Sequence, residues 1–286
     1  MNTPPRTCSI PVILTVACLA VLSALAPPAA LAADLPDHIV NGDFEAYTRQ
    51  ALMGGNKSDW TAIEPATGLS YNNGTSDSWG GQIAGWDRAR FAWQSDQQDG
   101  GGEQRAGAVE LQFEENTGNI YAEITAAQAG TAVYQDIDTL HDMDAVYEVR
   151  LKHASITRTW VDKMQVVVGA PGREKPVPMT RVTSNGNGDR VGETSDVVAT
   201  VVSNEPMECA DGAAMIQCTA RNHKGQWEEY VGRVTVPAHT PVTRFSFRNV
   251  SSSRFNYGNL VDDIGFTIAY PLVYDPNGGM GALPGE

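Results

Sequence analysis

The sequence predicts an all-β protein, a two-sheet antiparallel sandwich of roughly ten strands wound as a jelly roll. The first observation is alternation: in Val146-Tyr147-Glu148-Val149-Arg150-Leu151-Lys152-His153, Tyr147, Val149 and Leu151 share one face while charges occupy the other. It recurs in Thr243-Arg244-Phe245-Ser246-Phe247-Arg248 and, more weakly, in Met164-Gln165-Val166-Val167-Val168. Strands with one wet face belong to antiparallel sheets, because parallel sheets are covered on both sides. The second is that no stretch beyond the first 32 residues carries a long amphipathic helix. The third is punctuation by Gly, Asn, Asp and Pro clusters at the short intervals expected of a double-sheet fold.

In chain order, further strands are expected at 38–45, 108–113, 119–125, 131–137, 196–203, 227–236 and 259–268. Segments 46–80 and 96–106, rich in Gly, Asn, Ser, Asp and Gln, read as excursions from the sandwich. Segment 181–195, with Ser184-Asn185-Gly186-Asn187-Gly188-Asp189, reads as another surface loop.

The start of the chain sets the compartment. Arg6 precedes an apolar run from Ile10 to Ala26, and Ala30-Leu31-Ala32 supply the small residues of a cleavage site, so 1–32 reads as a secretory signal. Pro27-Pro28 end the run short of the ~20 apolar residues a membrane span needs. The expected organisation is therefore a signal at 1–32, one binding domain at 33–270 and a linker or the start of a further repeat at 271–286. Arg6 is the one charged residue of the signal, so its removal takes the formal charge from −14 to −15. That balance disfavours nucleic acid and anionic lipid as partners and suits an extracellular surface. Cys8 and Cys18 leave with the signal; Cys209 and Cys218 remain, an even pair that in an exported chain favours a local disulfide. Zinc would need more ligands than His223 adds.

Chemistry-bearing motifs are scarce. G-x-S-x-G, H-E-x-x-H and G-x-x-x-x-G-K-[ST] are all missing from the sequence. A glycosidase needs only two carboxylates across a cleft, and Glu110, Glu114 and Glu123, on strand-like segments, are the first suspects. His153 ends a charged-face strand and is either a base or a structural hydrogen bonder. Of the six Trp residues, Trp86 and Trp227 sit in regular apolar patterns and are assigned to the core. Trp60, Trp79 and Trp160 lie in polar segments or connections and are the candidates for stacking on a ligand.

The order Asn41-Gly42-Asp43-Phe44-Glu45, Ile83-Ala84-Gly85-Trp86, Tyr121-Ala122-Glu123-Ile124-Thr125-Ala126, Tyr134-Gln135-Asp136-Ile137, Trp227-Glu228-Glu229-Tyr230, Val236-Pro237-Ala238 and Val261-Asp262-Asp263-Ile264 resembles the galactose-binding-like jelly rolls, with carbohydrate-binding modules as more distant relatives. Within them it is most similar to the amino-terminal domain of Gram-positive surface adhesins or pilin-related proteins. The tail from Tyr270 to Pro284 resembles the opening of a Listeria–Bacteroides surface repeat. No LPXTG-type motif accompanies it, so cell-wall association is expected only if the natural chain continues beyond Glu286.

The resemblance implies one structural calcium between first and last strands and glycan binding on a concave face or at loop tips. The residues agree in kind. Alternation places Asp262 on the face of Ile264, Phe266 and Ile268, an inward carboxylate that wants a partner or a metal. Asp43 and Glu45 are the natural co-ligands, and calcium accepts such an oxygen set. The other reading makes Asp43 an Asx-turn and Asp262 a strand-end cap, and one bulge would reverse which Asp faces inward. The expected function is a secreted, non-catalytic adhesion or carbohydrate-binding module that meets a glycan or a cell-surface protein. The alternatives are a ligand-free stalk or cap of a surface fibre, and a glycoside hydrolase.

Overall fold

The computed structural model describes residues 38–74, 78–102, 104–114, 117–124, 130–155, 162–183, 191–200, 227–251 and 258–269. The chain divides into Met1–Asp34 and Leu35–Glu286, and all of the first unit lies outside the described residues. The described part is two antiparallel sheets, of ten and five strands, face to face as a sandwich.

The strands in chain order are β1 (Trp60–Glu64), β2 (Leu69–Tyr71), β3 (Trp79–Gln82), β4 (Gln94–Ser95), β5 (Val109–Phe113), β6 (Ile120–Ile124), β7 (Ala132–Asp138) and β8 (Ala145–Ser155). They continue as β9 (Lys163–Gly169), β10 (Lys175–Pro176), β11 (Met179–Arg181), β12 (Thr194–Ser195), β13 (Glu228–Val236), β14 (Val242–Ser251) and β15 (Asn259–Ile268). The large sheet has the order β12-β11-β13-β8-β15-β6-β5-β1-β2-β3, the small one β10-β9-β14-β7-β4. From β6 onward the long strands β6, β7, β8, β9, β13, β14 and β15 fall alternately in the large and small sheets. That alternation is how a jelly roll is wound.

The alternating runs sit as read. Tyr147, Val149 and Leu151 of β8 enter the central core, as do Phe245 and Phe247 of β14 and Met164, Val166 and Val168 of β9. Phe266 stacks on Tyr147 at 4.3 Å between ring centroids, which joins β15 to its neighbour β8 inside the sandwich. Burying an aromatic or aliphatic side chain stabilises by roughly 1.5–3 kcal/mol, so these repeated inward positions fix the register.

Several expectations are corrected. Residues 38–45 are not a strand but a series of turns, with Asn41 and Phe44 at positive φ (56° and 57°). They still meet the last strand, through His38 N–H to the Phe266 carbonyl (3.0 Å) and Ile264 N–H to the Gly42 carbonyl (3.0 Å). Segment 46–80 is no excursion, because β1 and β2 lie within it and, with β3, widen the large sheet beyond β5. In 196–203 the described residues form one bridge, Met164 to Val198, rather than a strand. Two helices shorter than a turn and a half flank this region: α1 (Arg49–Met53), capped by Thr48, and α2 (Arg88–Phe91), capped by Asp87.

The decisive departure is in β15. Its pairing with β8 shifts register between Asp262 and Gly265, and Asp263 there has φ 47°. One extra residue on β15 reverses the alternation. Val261, Ile264 and Phe266 therefore face the core, whereas Asp262 shares the outer face with Leu260. Asp262 does not lie on the face of Ile264 and Phe266.

Candidate functional site

Strand register assembles the site on the outer face of the large sheet. Trp60 stands opposite Gln112, and Ala62 opposite Glu110, across β1 and β5. Gln112 stands opposite Tyr121, and Glu110 opposite Glu123, across β5 and β6. Leu260 of β15 is beside Glu123, and Ala154 of β8 beside Leu260. Period-2 geometry puts all of these side chains on one surface.

That surface carries aromatic rings at both margins. At one, Trp60 stacks on Tyr71 (centroids 5.4 Å, planes 21° apart) and Trp79 meets the same Tyr71 edge-on at 5.6 Å, over Ala62 and Ala108. Trp60 and Trp79 are half-buried while Tyr71 is buried, so the Trp rings form the accessible rim of the cluster. The Trp79 Nε1–H donates to the Gly102 carbonyl (2.7 Å), and the Arg105 guanidinium lies 4.6 Å from its ring centroid. A cation over a Trp face adds roughly 0.5–1 kcal/mol at such a half-exposed place. At the other margin Trp227 packs edge-on against Tyr121 (5.2 Å) with Ala154 and Leu260. Trp227 thus covers the outer face rather than the central core, contrary to its assignment. Trp86 does pack against the core, stacked on Tyr47 at 5.1 Å.

Between the margins lies a carboxylate pair. Gln112 Nε2 donates to Glu110 Oε1 (2.8 Å) and to Glu123 Oε2 (2.6 Å), and Gly258 N–H donates to Glu123 Oε1 (2.8 Å). Glu123 is only 1% exposed. Burial, followed by the like charge of Glu110, raises its pKa well above the usual carboxylate range. Glu114 is also buried and accepts from Thr117. Tyr121 is deeply buried, and burial first, then the charges of Glu114, Glu123, Asp59 and Asp262, raises its phenol.

The three expected metal ligands are arranged as follows. Asp43 Oδ1 accepts from Glu45 N–H (3.1 Å), an Asx-turn. Glu45 Oε1 accepts from Ile120 N–H (2.9 Å). Asp262 accepts from Asn119 Nδ2 (2.8 Å) and from Asp263 N–H (2.8 Å). Glu45 and Asp262 are therefore held to the consecutive residues Ile120 and Asn119 at the start of β6. Burial, the dominant cause, raises Asp262 to about 7. Among the described residues there is no group of three His, Cys, Asp or Glu side chains suited to holding a metal ion. The cation nearest in sequence register is Lys152, whose Nζ lies 2.5 Å from Asp263 Oδ2.

His153 faces inward, in a buried polar chain rather than at an open site. Asn259 Nδ2 donates to Asn249 Oδ1 (3.1 Å) and to the Lys163 carbonyl (3.2 Å), so its Oδ1 faces His153 Nε2 (2.9 Å) as acceptor. The ring proton is thereby assigned to Nε2, and Nδ1 accepts from Thr200 Oγ1 (2.8 Å), which in turn meets Tyr230 OH (3.0 Å). Burial lowers His153 to about 4. Beside it, Arg181 and Glu228 form a buried ion pair at 2.6 Å.

Trp160, Cys209, Cys218, the signal at 1–32 and the tail at 271–286 lie outside the described residues. Tyr71, Gln112 and Tyr121 were not picked out from sequence. Their signal was period-2 phase relative to Trp60 and Glu110, readable only once the register of β1, β5 and β6 was known.

No family model matches the sequence, and no curated protein matches it. Among solved structures, it is similar to the enzymatically active domain of tailspike protein 4 of bacteriophage CBA120 (10% identity, 82% of this chain, 21% of that chain, TM-score 0.28). It is also similar to the CBM22-1–GH10 modules of xylanase 10B from Clostridium thermocellum (10% identity, 64% and 27% covered, TM-score 0.28). A third likeness is to the K1 adhesin domain of Lys-gingipain from Porphyromonas gingivalis (7% identity, 77% and 96% covered, TM-score 0.27). The chain thus spans about a fifth and about a quarter of the tailspike and xylanase chains. These likenesses are loose; the β-sandwich rests on the strand pairing itself.

Proposed function

We propose that this protein is a non-catalytic, extracellular binding module whose Trp60–Tyr71–Trp79 patch stacks on a sugar ring, as a carbohydrate-binding or adhesin domain does. One observation carries the reading. Two Trp residues from separate polar segments converge on opposite sides of one Tyr, half-buried, at the rim of a rigid sheet. Flat rings with polar neighbours suit the C–H face and hydroxyls of a saccharide. The Glu110–Glu123 pair favours the non-catalytic side, since one member is buried and both hydrogen-bond a single Gln112 amide. Glycosidase pairs stand about 5–10 Å apart across an open cleft.

The ligand-free stalk is the second reading, favoured by the bonding of Trp79 to Gly102 and Arg105, which occupies part of that ring. A glycan array with the purified protein separates the two. Binding that falls at least about tenfold in Trp60→Ala and in Trp79→Ala, with cooperative unfolding preserved, supports the module. Equal binding by the double variant overturns it, and a blank array favours the stalk.

Calcium at the joined ends is a separate proposal, supported by Glu45 and Asp262 reaching Ile120 and Asn119, adjacent residues at the start of β6. An ion bound only by the folded state raises the melting temperature by mass action. The test is a melt in calcium against EGTA; superimposable curves would remove the ion.

A further inference from the structure

A second surface lies on the small sheet. Strand β7 hydrogen-bonds β14 through its odd-numbered residues, as Thr139 N–H to the Pro241 carbonyl (3.2 Å) and Asn249 N–H to the Thr131 carbonyl (2.9 Å) bracket the ladder. In an antiparallel pair the even residues then turn their N–H and C=O the other way. On that side β4 is short: Gln94 pairs with Tyr134 and Ser95 with Val133, and Asp96 N–H reaches the Ala132 carbonyl (3.1 Å). Beyond Tyr134, among the described residues, no strand continues along β7. Among those residues nothing pairs with the outward-facing backbone groups of Asp136 and Asp138.

A cavity of about 820 Å³ runs beside this edge, lined by Asp136, Ile137 and Asp138 on one side and by His38, Val40, Arg88 and Ala92 among those opposite. Its far wall is fixed. Gln135 clasps Val40 through Val40 N–H to Oε1 (3.1 Å) and Nε2 to the Val40 carbonyl (2.7 Å), and Asp87 caps α2 through Ala89 N–H (2.8 Å). Val40 nevertheless remains 46% exposed, an apolar spot in the lining of the same cavity.

The geometry points to a β-augmentation site, at which an extended basic peptide segment of another protein adds a strand to β7 beyond Tyr134. The occupant follows from backbone chemistry and charge. Two donor–acceptor sets two residues apart match an extended main chain and nothing more compact. A second copy of this edge, antiparallel about Ile137, would set Asp136 against Asp138 twice, and like charges directly opposite destabilise a strand pair. The groove bears Asp87, Asp136 and Asp138 against Arg88, and Arg244 already binds both oxygens of Asp136 (2.7 and 2.8 Å). Asp87 and Asp138 thus select lysine or arginine on the incoming strand. The same edge charges that discourage self-association choose the partner.

The test uses the full protein and an eight-residue peptide alternating lysine and valine, with a glutamate–valine peptide and an N-methylated lysine–valine peptide as controls. Amide hydrogen exchange at Asp136 and Asp138 should slow about tenfold or more with the first peptide alone. The Asp138→Pro variant loses an N–H that β14 does not use, and should abolish the effect. Asp138→Lys, which keeps the backbone, should shift preference toward the glutamate–valine peptide. No slowing with the lysine–valine peptide overturns the site. Equal slowing with the N-methylated peptide would mean charge alone is read, and protection that rises with protein concentration alone would mean the partner is a second copy; either also overturns it.

Discussion

A Cβ added at Gly42 would stand 2.1 Å from the Ile264 carbonyl oxygen, the atom next to the bond that ties the opening turn to β15. Gly42→Ala is therefore expected to lower unfolding free energy by about 2 kcal/mol, read from denaturant midpoints at constant m-value. Asp262 and His153 make opposite pH predictions. His153 stays neutral in the fold down to about 4, below its ordinary 6.5. Its contribution is full above pH 6.5 and is lost as pH falls toward 4, by about 3 kcal/mol at most. Asp262, raised to about 7 from 3.8, behaves in reverse: the fold takes up its proton first, so stability is regained as pH falls from 7 toward 3.8. Asp262→Asn in EGTA should thus be more stable than the wild type at pH 8 and lose stability more steeply between pH 6.5 and 4. If calcium uses this carboxylate, the same variant is instead the less stable one when calcium is present.

At the scale of elements, two contacts hold strands that sequence proximity does not. Trp93, 0% exposed, stacks between Phe44 (5.2 Å) and Phe247 (5.9 Å) and donates to the Asn41 carbonyl (2.8 Å), which pins the opening turns to β14. Trp93→Ala should cost about 3–5 kcal/mol in chemical denaturation. Arg181 of β11 and Glu228 of β13 are buried together on adjoining strands. Arg181→Met alone strands a buried carboxylate and should cost about 3–5 kcal/mol, whereas the Arg181→Met, Glu228→Met pair should recover most or all of it in a double-mutant cycle. The alternating elements β8, β9 and β14 were legible because each has one apolar face of period two. β1, β2 and β3 were not, since Gly- and Asn-rich surroundings resemble loops and these short strands form only by adding to β5.

Over the whole molecule, the large sheet separates two kinds of surface. Among the described residues its inner face is mainly apolar, with the His153 chain, the Arg181–Glu228 pair and the buried hydroxyls of Thr61 and Ser70 as polar members. Its outer face is acidic at the centre and aromatic at its margins. Glu123 and Tyr121 are buried at that centre, whereas Trp60, Trp79 and Trp227 are half-buried, and the binding proposed above would use the paired rings of Trp60 and Trp79. Binding there should quench or shift Trp emission, and the change should disappear in the Trp60→Ala, Trp79→Ala double variant; a change that persists would place the ligand elsewhere.

Composition, period-two alternation and the lack of helical patterns sufficed to determine an antiparallel β-sandwich and the inward set Tyr147, Val149, Leu151, Phe245 and Phe247, because burial parity is a local property of a strand. The residues Trp60, Trp79, Glu110 and Glu123 could be singled out by type, but not joined into a patch or a bridged pair. Only tertiary structure decided that, since cross-strand neighbours depend on which strands pair and in what register. The bulge at Asp263 shows the reason most plainly. One residue inserted in β15 moved Asp262 from the inner face to the outer, and nothing in the local sequence fixes where such an insertion falls.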